Sequence, residues 1–395
     1  MWPRLLAGAP RGAREASSAW FAAYCQNPVI YHVFHYSSAV HADVVRNQVS
    51  RSISREILAH KTAAIRLLNG LLTNWDDANI DIVLIAVLSL SRNELGRNSM
   101  PVGHVLAFEP HMPHENWLSV YGRLQGVEVH ERAIGLLIER VGGLKTLKMP
   151  GLASLIVLGD LVSATQQVRK PRLPCAWKVD RSVLLEHRVL SSEPGSSAPG
   201  CGFFTSMPGG GLPPRAVSAL IRLATIDRCM SMCRVVRLNV VEEQLLVSTR
   251  NALQHAFLSL PAWEELDEAE AHGCSRTAYE VCILTAAIYS AAVIMAIPPH
   301  LGWHIKLVHK LRDLIEKAEF LDPDHALSDM LLWSLCVGAL ASHRTPDGAF
   351  FKASLRRALA QRQLLVRPKL EHILGGFLWS DSACRHGAAV LWASL

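Results

Sequence analysis

Three histidines near the start of the chain, His32, His35 and His41, are the first residues whose type and spacing could do chemistry. His32 and His35 stand at i, i+3. That spacing puts two imidazoles on one helix face, where neutral rings can ligate a metal. Asp43 is the one acidic residue close to them, and no His-Glu-x-x-His run is present, so they read as core or groove histidines. His111 and His114 lie on either side of Pro113 and read as solvent-facing loop residues. Glu371 and His372 form a lone pair on an amphipathic stretch, with Glu371 outward. Asp76, Asp77 and Asp81 read as a turn and a helix start, not as a metal clamp.

Nucleophilic and phosphate-binding chemistry find less. There is no Gly-x-Ser-x-Gly elbow, no Gly-x-Gly-x-x-Gly turn and no P-loop. Gly209, Gly210 and Gly211 follow no strand pattern, so a phosphate cradle there is not expected. The nine cysteines are scattered, with Cys229 and Cys233 the nearest pair and no Cys-x-x-Cys. Neither a disulfide framework nor a structural zinc site fits that spacing, and reduced, mostly buried thiols are expected. No catalytic, cofactor-binding or metal-binding residue is assigned, and the chain does not read as an enzyme.

The elements that must position these residues read as helices. Ala64, Leu67, Leu68 and Leu71 fall at i, i+3, i+4, i+7, and so do Ile134, Leu137, Ile138 and Val141. The pattern returns at Val217, Leu220, Ile221 and Ala224, at Leu332, Leu335, Cys336 and Ala339, and at Leu370, Ile373, Leu374 and Phe377. Each set lays one apolar stripe along a helix. Gly142 and Gly143 stand where a left-handed C-cap is expected, and Pro368 where a proline opens the last helix. Val235 to Val241 is the one run that could be a strand.

Composition sets the wider frame. The chain has 395 residues, half of them hydrophobic and only 19% charged, so large buried helices or an obligate partner surface are expected. The net charge of +6 is spread out, with no basic cluster that would bind nucleic acid. Residues 1–19 read as unordered, with Arg4, Arg11 and Arg14 against Glu15 giving a transit-peptide-like composition. Residues 191–214 (SSEPGSSAPGCGFFTSMPGGGLPP) read as a flexible linker between two helical halves, 20–190 and 215–395. A shorter break spans Gly96 to Asn116. Val281 to Pro299 carries no charge, but Thr285, Tyr289, Ser290 and the closing Pro298–Pro299 favour a core helix over a membrane span.

Four blocks in order resemble the fungal-specific transcription factor domain, the helical regulatory region that usually follows a binuclear zinc cluster. Asn27 to His41 (NPVIYHVFHYSSAVH) is similar to its opening helix. Lys61 to Leu90 is similar to the next helix pair. His130 to Asp160 resembles the block in which a histidine starts an amphipathic helix closed by Gly142, Gly143 and Leu144. The tail supplies the fourth, through Trp333, Gly338, Trp379, Asp381, Cys384, Gly387 and Trp392. Val141 replaces the arginine of the family's Arg-Gly-Gly, Arg385 replaces an acidic residue, and the six-cysteine cluster is missing.

The resemblance implies an all-α, multi-helical regulatory domain in a nuclear regulator of a metabolic or secondary-metabolite gene set. It also implies other transcription proteins as partners, including a homo- or heterodimer partner. Base-specific DNA binding is not supported, because the zinc-held helix that enters the groove is missing. The alternative is a helical ligand-binding protein or an enzyme of unknown chemistry, suggested by 18 histidines and many apolar helices.

Overall fold

The computed structural model describes residues 10–46, 55–92, 106–112, 118–124, 126–180, 182–183, 198–205, 211–233, 238–317, 328–364 and 367–395. They are all-helical, with no strand. The chain divides into two compact units, residues 1–99, 116–163 and 171–177 against 100–115, 164–170 and 178–395.

The first unit opens on a helical pair, α1 (Pro10–Gln26) and α2 (Pro28–Val45). The Asn27 side chain accepts from the Val29 and Ile30 amides and Pro28 fills the first helical position, so a polar cap and a fixed φ start α2 together. Of residues 1–19, expected to be unordered, 10–19 belong to α1, with Ala16 and the following Trp20 buried in the core of this unit, and 1–9 lie outside the described residues. Trp20 also donates through Nε1 to the Pro150 carbonyl at 2.9 Å. Burying an indole and satisfying its N–H outweighs the weak helical signal of an Ala/Ser/Arg-rich segment.

α3 (Arg55–Thr73) packs along α2, and α4 (Ile80–Arg92) packs on α2 and on α6 (Glu128–Arg140), with the one-turn α5 (Leu118–Tyr121) between. On α3, Ala64 and Leu68 are buried as the period requires, whereas Leu67 is exposed. α6 ends as the two glycines predict. Gly142 and Gly143 have φ of 88° and 102°, and the Gly143 amide bonds to the Ile138 carbonyl at 2.8 Å, closing a Schellman-type cap. α7 (Leu152–Gln167) carries Asp160, whose Oδ2 accepts from the Arg172 and Leu173 amides at 2.5 and 3.0 Å.

The second unit contains α8 (Gly202–Thr205), α9 (Pro214–Met232), α10 (Val240–Leu258), α11 (Glu268–Ala271), α12 (Arg276–Tyr289), α13 (Trp303–Lys317), α14 (Ser328–Ala341), α15 (Gly348–Gln361), α16 (Arg367–Gly375) and α17 (Asp381–Ala393). α14 is its axis: α8, α12, α13, α15, α16 and α17 all touch it. Buried on every side, α14 needs no polar face, and its Leu332, Leu335, Cys336 and Ala339 are all in the core. On α9 the buried face is Ala216, Leu220, Leu223 and Ala224, so Val217 and Ile221 flank the expected stripe without centring it.

Four expectations change in this unit. The described part of 191–214 does not loop out: α8 buries Phe203 edge-on against Trp333 and Phe377, with ring centroids 5.3 and 5.1 Å away. One aromatic ring in a Gly/Pro/Ser-rich stretch is enough to anchor it, because ring burial stabilises more than the surrounding small residues lose. Val240 and Val241, the described end of the ambiguous strand run, begin α10 under a capping box in which Asn239 and Glu242 satisfy each other's amides. Pro368 stands in the first turn of α16, but α16 is not the last helix. Of the nine cysteines, all free, four are buried and two, Cys25 and Cys175, are exposed.

The uncharged run from Val281 is a core element. The helix Arg276–Ile294 is long and apolar enough to cross a membrane by length and composition, and 83% of its apolar window is buried inside the protein. It changes to a π-helical turn at Ser290–Ile294.

Candidate functional site

A buried polar seam lies in the second unit, where α9, α12, α17 and the segment 106–112 meet. His111, expected to face solvent, is buried, and its Nε2–H donates to Asp227 Oδ1 at 2.8 Å. Tyr289 donates to Asp227 Oδ2 at 3.0 Å and accepts from the Ser380 amide at 2.9 Å. A hydroxyl cluster continues the seam: Ser231, Ser380 and Ser382 lie within 2.6–3.1 Å of one another. On the far side, where the π turn begins, Ser290 donates to Gln254 Oε1 at 2.5 Å, and Gln254 donates to Thr165 at 3.3 Å. The wide bond of the π turn runs from the Met295 amide to the Ser290 carbonyl at 2.8 Å, so the residue that opens the turn is also a link in the network.

Cys384 sits at the edge of this seam, which brings a thiol, an imidazole and a carboxylate into one neighbourhood. A cysteine nucleophile needs thiolate character. Here burial pushes the Cys384 thiol well up, and the Asp227 carboxylate pushes it further in the same direction. Burial, then Asp227, likewise raises Tyr289 far above the ordinary phenol range. The seam therefore holds its hydroxyl and thiol in their neutral forms around one carboxylate. That is the arrangement of a polar anchor, in which each member fixes a neighbour.

The first unit holds a second cluster. His32 and His35 on α2 face His60 on α3. The Nδ1 atoms of His32 and His60 are 3.0 Å apart, and the His35 and His60 rings stack at 4.8 Å. Tyr24 hydroxyl and His35 Nε2 are 3.0 Å apart, and the Tyr31 ring lies tilted against His35 with centroids 4.4 Å apart. Facing nitrogens at that distance need one donor and one acceptor, so the pair shares one bridging proton. The His32 pKa is lowered, first by burial and then by His60 and His35. Burial also lowers His41, farther along α2. His60 was not singled out in the sequence; it lies 28 residues from His32 and only the helix pairing brings it close. Among the described residues, no set of three or more His, Cys, Asp or Glu could hold a metal ion.

The third feature is a cleft of about 490 Å³ in the second unit. Phe257, Leu260, Ile283, Leu284 and Leu314 supply its apolar lining, with Trp263 at one side. Val168, Arg169 and Lys170 form one wall, just past the end of α7. Val168 has φ of 49°, and the Arg169 amide reaches back to the Ala164 carbonyl at 3.0 Å, so a β-branched residue fills the left-handed position that glycine usually takes. Such a residue costs roughly 1–3 kcal/mol. Tyr279 closes the floor, donating to the Pro261 carbonyl at 2.7 Å, with burial pushing its pKa up to about 12.

The remaining residues read from the sequence fall elsewhere. Asp76 caps a 3-10 turn through the Ala78 amide, and Asp81 accepts from the Lys148 and Met149 amides, so these carboxylates hold a turn and a loop. Glu371 pairs with Arg367 at 2.7 Å and His372 is exposed. His114, Gly209 and Gly210 lie outside the described residues.

The tail residues have packing roles. Trp333 is fully buried, stacks on Phe377 at 5.3 Å and donates to the Leu378 carbonyl at 2.9 Å. Gly338 lies beneath the Phe351 ring, and a Cβ on Gly387 would overlap the Ala107 carbonyl oxygen. Comparison with known protein families, with curated proteins and with solved structures finds no match for this chain.

Proposed function

We propose that this protein is a transcriptional regulator of the fungal type, or a DNA-binding-deficient relative of one, acting in the nucleus through protein contacts. The observation that carries the reading is the order of four sequence blocks that resemble the regulatory domain. The most specific is the tail Trp333, Gly338, Trp379, Asp381, Cys384, Gly387 and Trp392. The packing of that tail supports it. Trp333, Gly338, Cys384 and Gly387 sit where bulk or its absence is dictated by a neighbour, as a scaffold signature requires.

A regulatory body of this kind needs no nucleophile, metal or cofactor. Its surfaces between amphipathic helices would engage other transcription proteins, including a second regulator in a homo- or heterodimer. The proposed output is control of a metabolic or secondary-metabolite gene set.

Two measurements test it together. The full chain is tethered to a heterologous DNA-binding module upstream of a reporter, and transcripts are compared between wild-type and deletion strains. The reading predicts a several-fold reporter change, a coherent set of altered transcripts and nuclear accumulation of the tagged chain. A silent reporter with an unchanged transcriptome and nuclear exclusion would overturn it.

A further inference from the structure

We infer that His32 and His60 form an open site for a divalent transition-metal ion, held through their two Nδ1 atoms across α2 and α3. The two residues are 28 apart in the chain, and the helix pair brings these atoms to 3.0 Å. That distance selects the kind of ion. With metal–nitrogen bonds of about 2.0–2.1 Å, two nitrogens at adjacent corners of a square or octahedron lie about 2.8–3.0 Å apart, and at two corners of a tetrahedron about 3.3–3.4 Å. The pair therefore matches the square or octahedral centres of Cu²⁺ and Ni²⁺ more closely than the tetrahedral centre of zinc.

Both rings can offer their lone pairs. Each is half-buried, so an ion reaches them without separating the helices. His32 is held toward its neutral form, first by burial and then by His60 and His35, and the neutral imidazole is the ligating form. In the metal-free pair one Nδ1 carries the bridging proton. On binding, that proton passes through solvent to Nε2 of the same ring, and the ion takes the place between the two Nδ1 atoms. Both rings stay neutral, and no net proton is released.

The neighbours act as an outer shell. His35 stacks on His60 with centroids 4.8 Å apart and planes 16° apart, and its Nε2 meets the Tyr24 hydroxyl at 3.0 Å. A ring parallel to His60 cannot aim its lone pairs at the same point, so His35 positions His60 and does not ligate. Among the described residues no third His, Cys, Asp or Glu completes the set, so water fills the remaining positions, as at an open site. The inference stands apart from the regulator reading, since metal binding is measured without any transcriptional readout.

The test uses Cu²⁺ chelated by iminodiacetate, which leaves adjacent coordination positions free and so prefers a cis pair of imidazoles to a lone one. In calorimetric titration of the metal-free full chain, the wild type is expected to bind at least about tenfold more tightly than His32→Gln or His60→Gln. His35→Phe keeps a stacked ring and should retain the affinity, as should His372→Gln, a change at an exposed histidine of α16. Footprinting of the wild type with diethyl pyrocarbonate needs no variant: bound Cu²⁺ should shield His32 and His60 and leave His372 reactive. The proposal fails if the wild type binds no more tightly than His60→Gln, if His35→Phe loses as much affinity as His60→Gln, or if His32 and His60 are modified equally with and without metal. Far-ultraviolet circular dichroism of each variant separates lost binding from lost folding.

Discussion

Two clusters in this protein use the same residue types to opposite ends. In the first unit, His32, His35 and His60 meet with Tyr24 and Tyr31 at a half-buried helix interface, with no carboxylate acting on His32. In the second, His111 and Tyr289 meet around Asp227 in the core. The imidazole cluster has several proton acceptors and no anion, so each added proton repels the next. The buried seam has one anion and donors aimed at it, so removing that anion strands its partners. The difference teaches that a histidine's role follows from what faces it and how dry the site is, not from its spacing along the chain.

The strongest way to break the comparison is Asp227→Ala. It leaves the Tyr289 hydroxyl and the His111 Nε2–H buried without an acceptor, and a loss of about 3–5 kcal/mol is expected, read from urea midpoints. Asp227→Asn, which keeps one acceptor oxygen, should lose markedly less. Equal losses would show that charge, not hydrogen bonding, holds the seam. Trp333→Ala should cost a similar 3–5 kcal/mol, because it opens a cavity against Phe203 and Phe377 and frees the Leu378 carbonyl. A change within error would place the indole outside the core.

A smaller effect is expected from Gly387→Ala, which forces the 106–109 segment off α17. Overpacking of this kind costs about 1–3 kcal/mol, and it should loosen the Glu109 amide bond to the Ala383 carbonyl, visible as faster amide exchange at Glu109.

The smallest effect belongs to the first unit and depends on pH. The folded His32 pKa is lowered, so the folded state binds fewer protons than the unfolded state near the ordinary imidazole value of about 6.5. Its contribution is present above about pH 6.5 and is lost as pH falls from there through the lowered folded value. Solvent screening at this half-open site keeps the loss well under about 1 kcal/mol. Urea midpoints at pH 7.5 and 5.5 for the wild type and for His60→Gln check it. His60→Gln should narrow the difference by removing one of the two like charges acting on His32.

Much of the secondary structure was legible. The α6 stripe and its double-glycine stop, the apolar stripe of α14 and the core placement of the run from Val281 follow from periodicity, caps and hydropathy, which are local. The site was less so. His60 and Asp227 lie 28 and 116 residues from the histidines they meet, and neither carries a local motif. Phe203 was hidden by its neighbours, since Gly, Pro and Ser report backbone freedom and say nothing of one ring's destination.

The sequence by itself determined that the described residues are built from helices, where one of them stops at Gly142 and Gly143 and another starts near Pro368, and that no familiar catalytic spacing is present. Those properties depend on residues within a turn or two of each other. Only the tertiary structure decided that His111 is an internal partner of Asp227, that Phe203 anchors a Gly/Pro-rich segment, and that His60 meets His32 across two helices. Each of these depends on which distant surfaces exclude water together, and burial of that kind is a property of the packed chain.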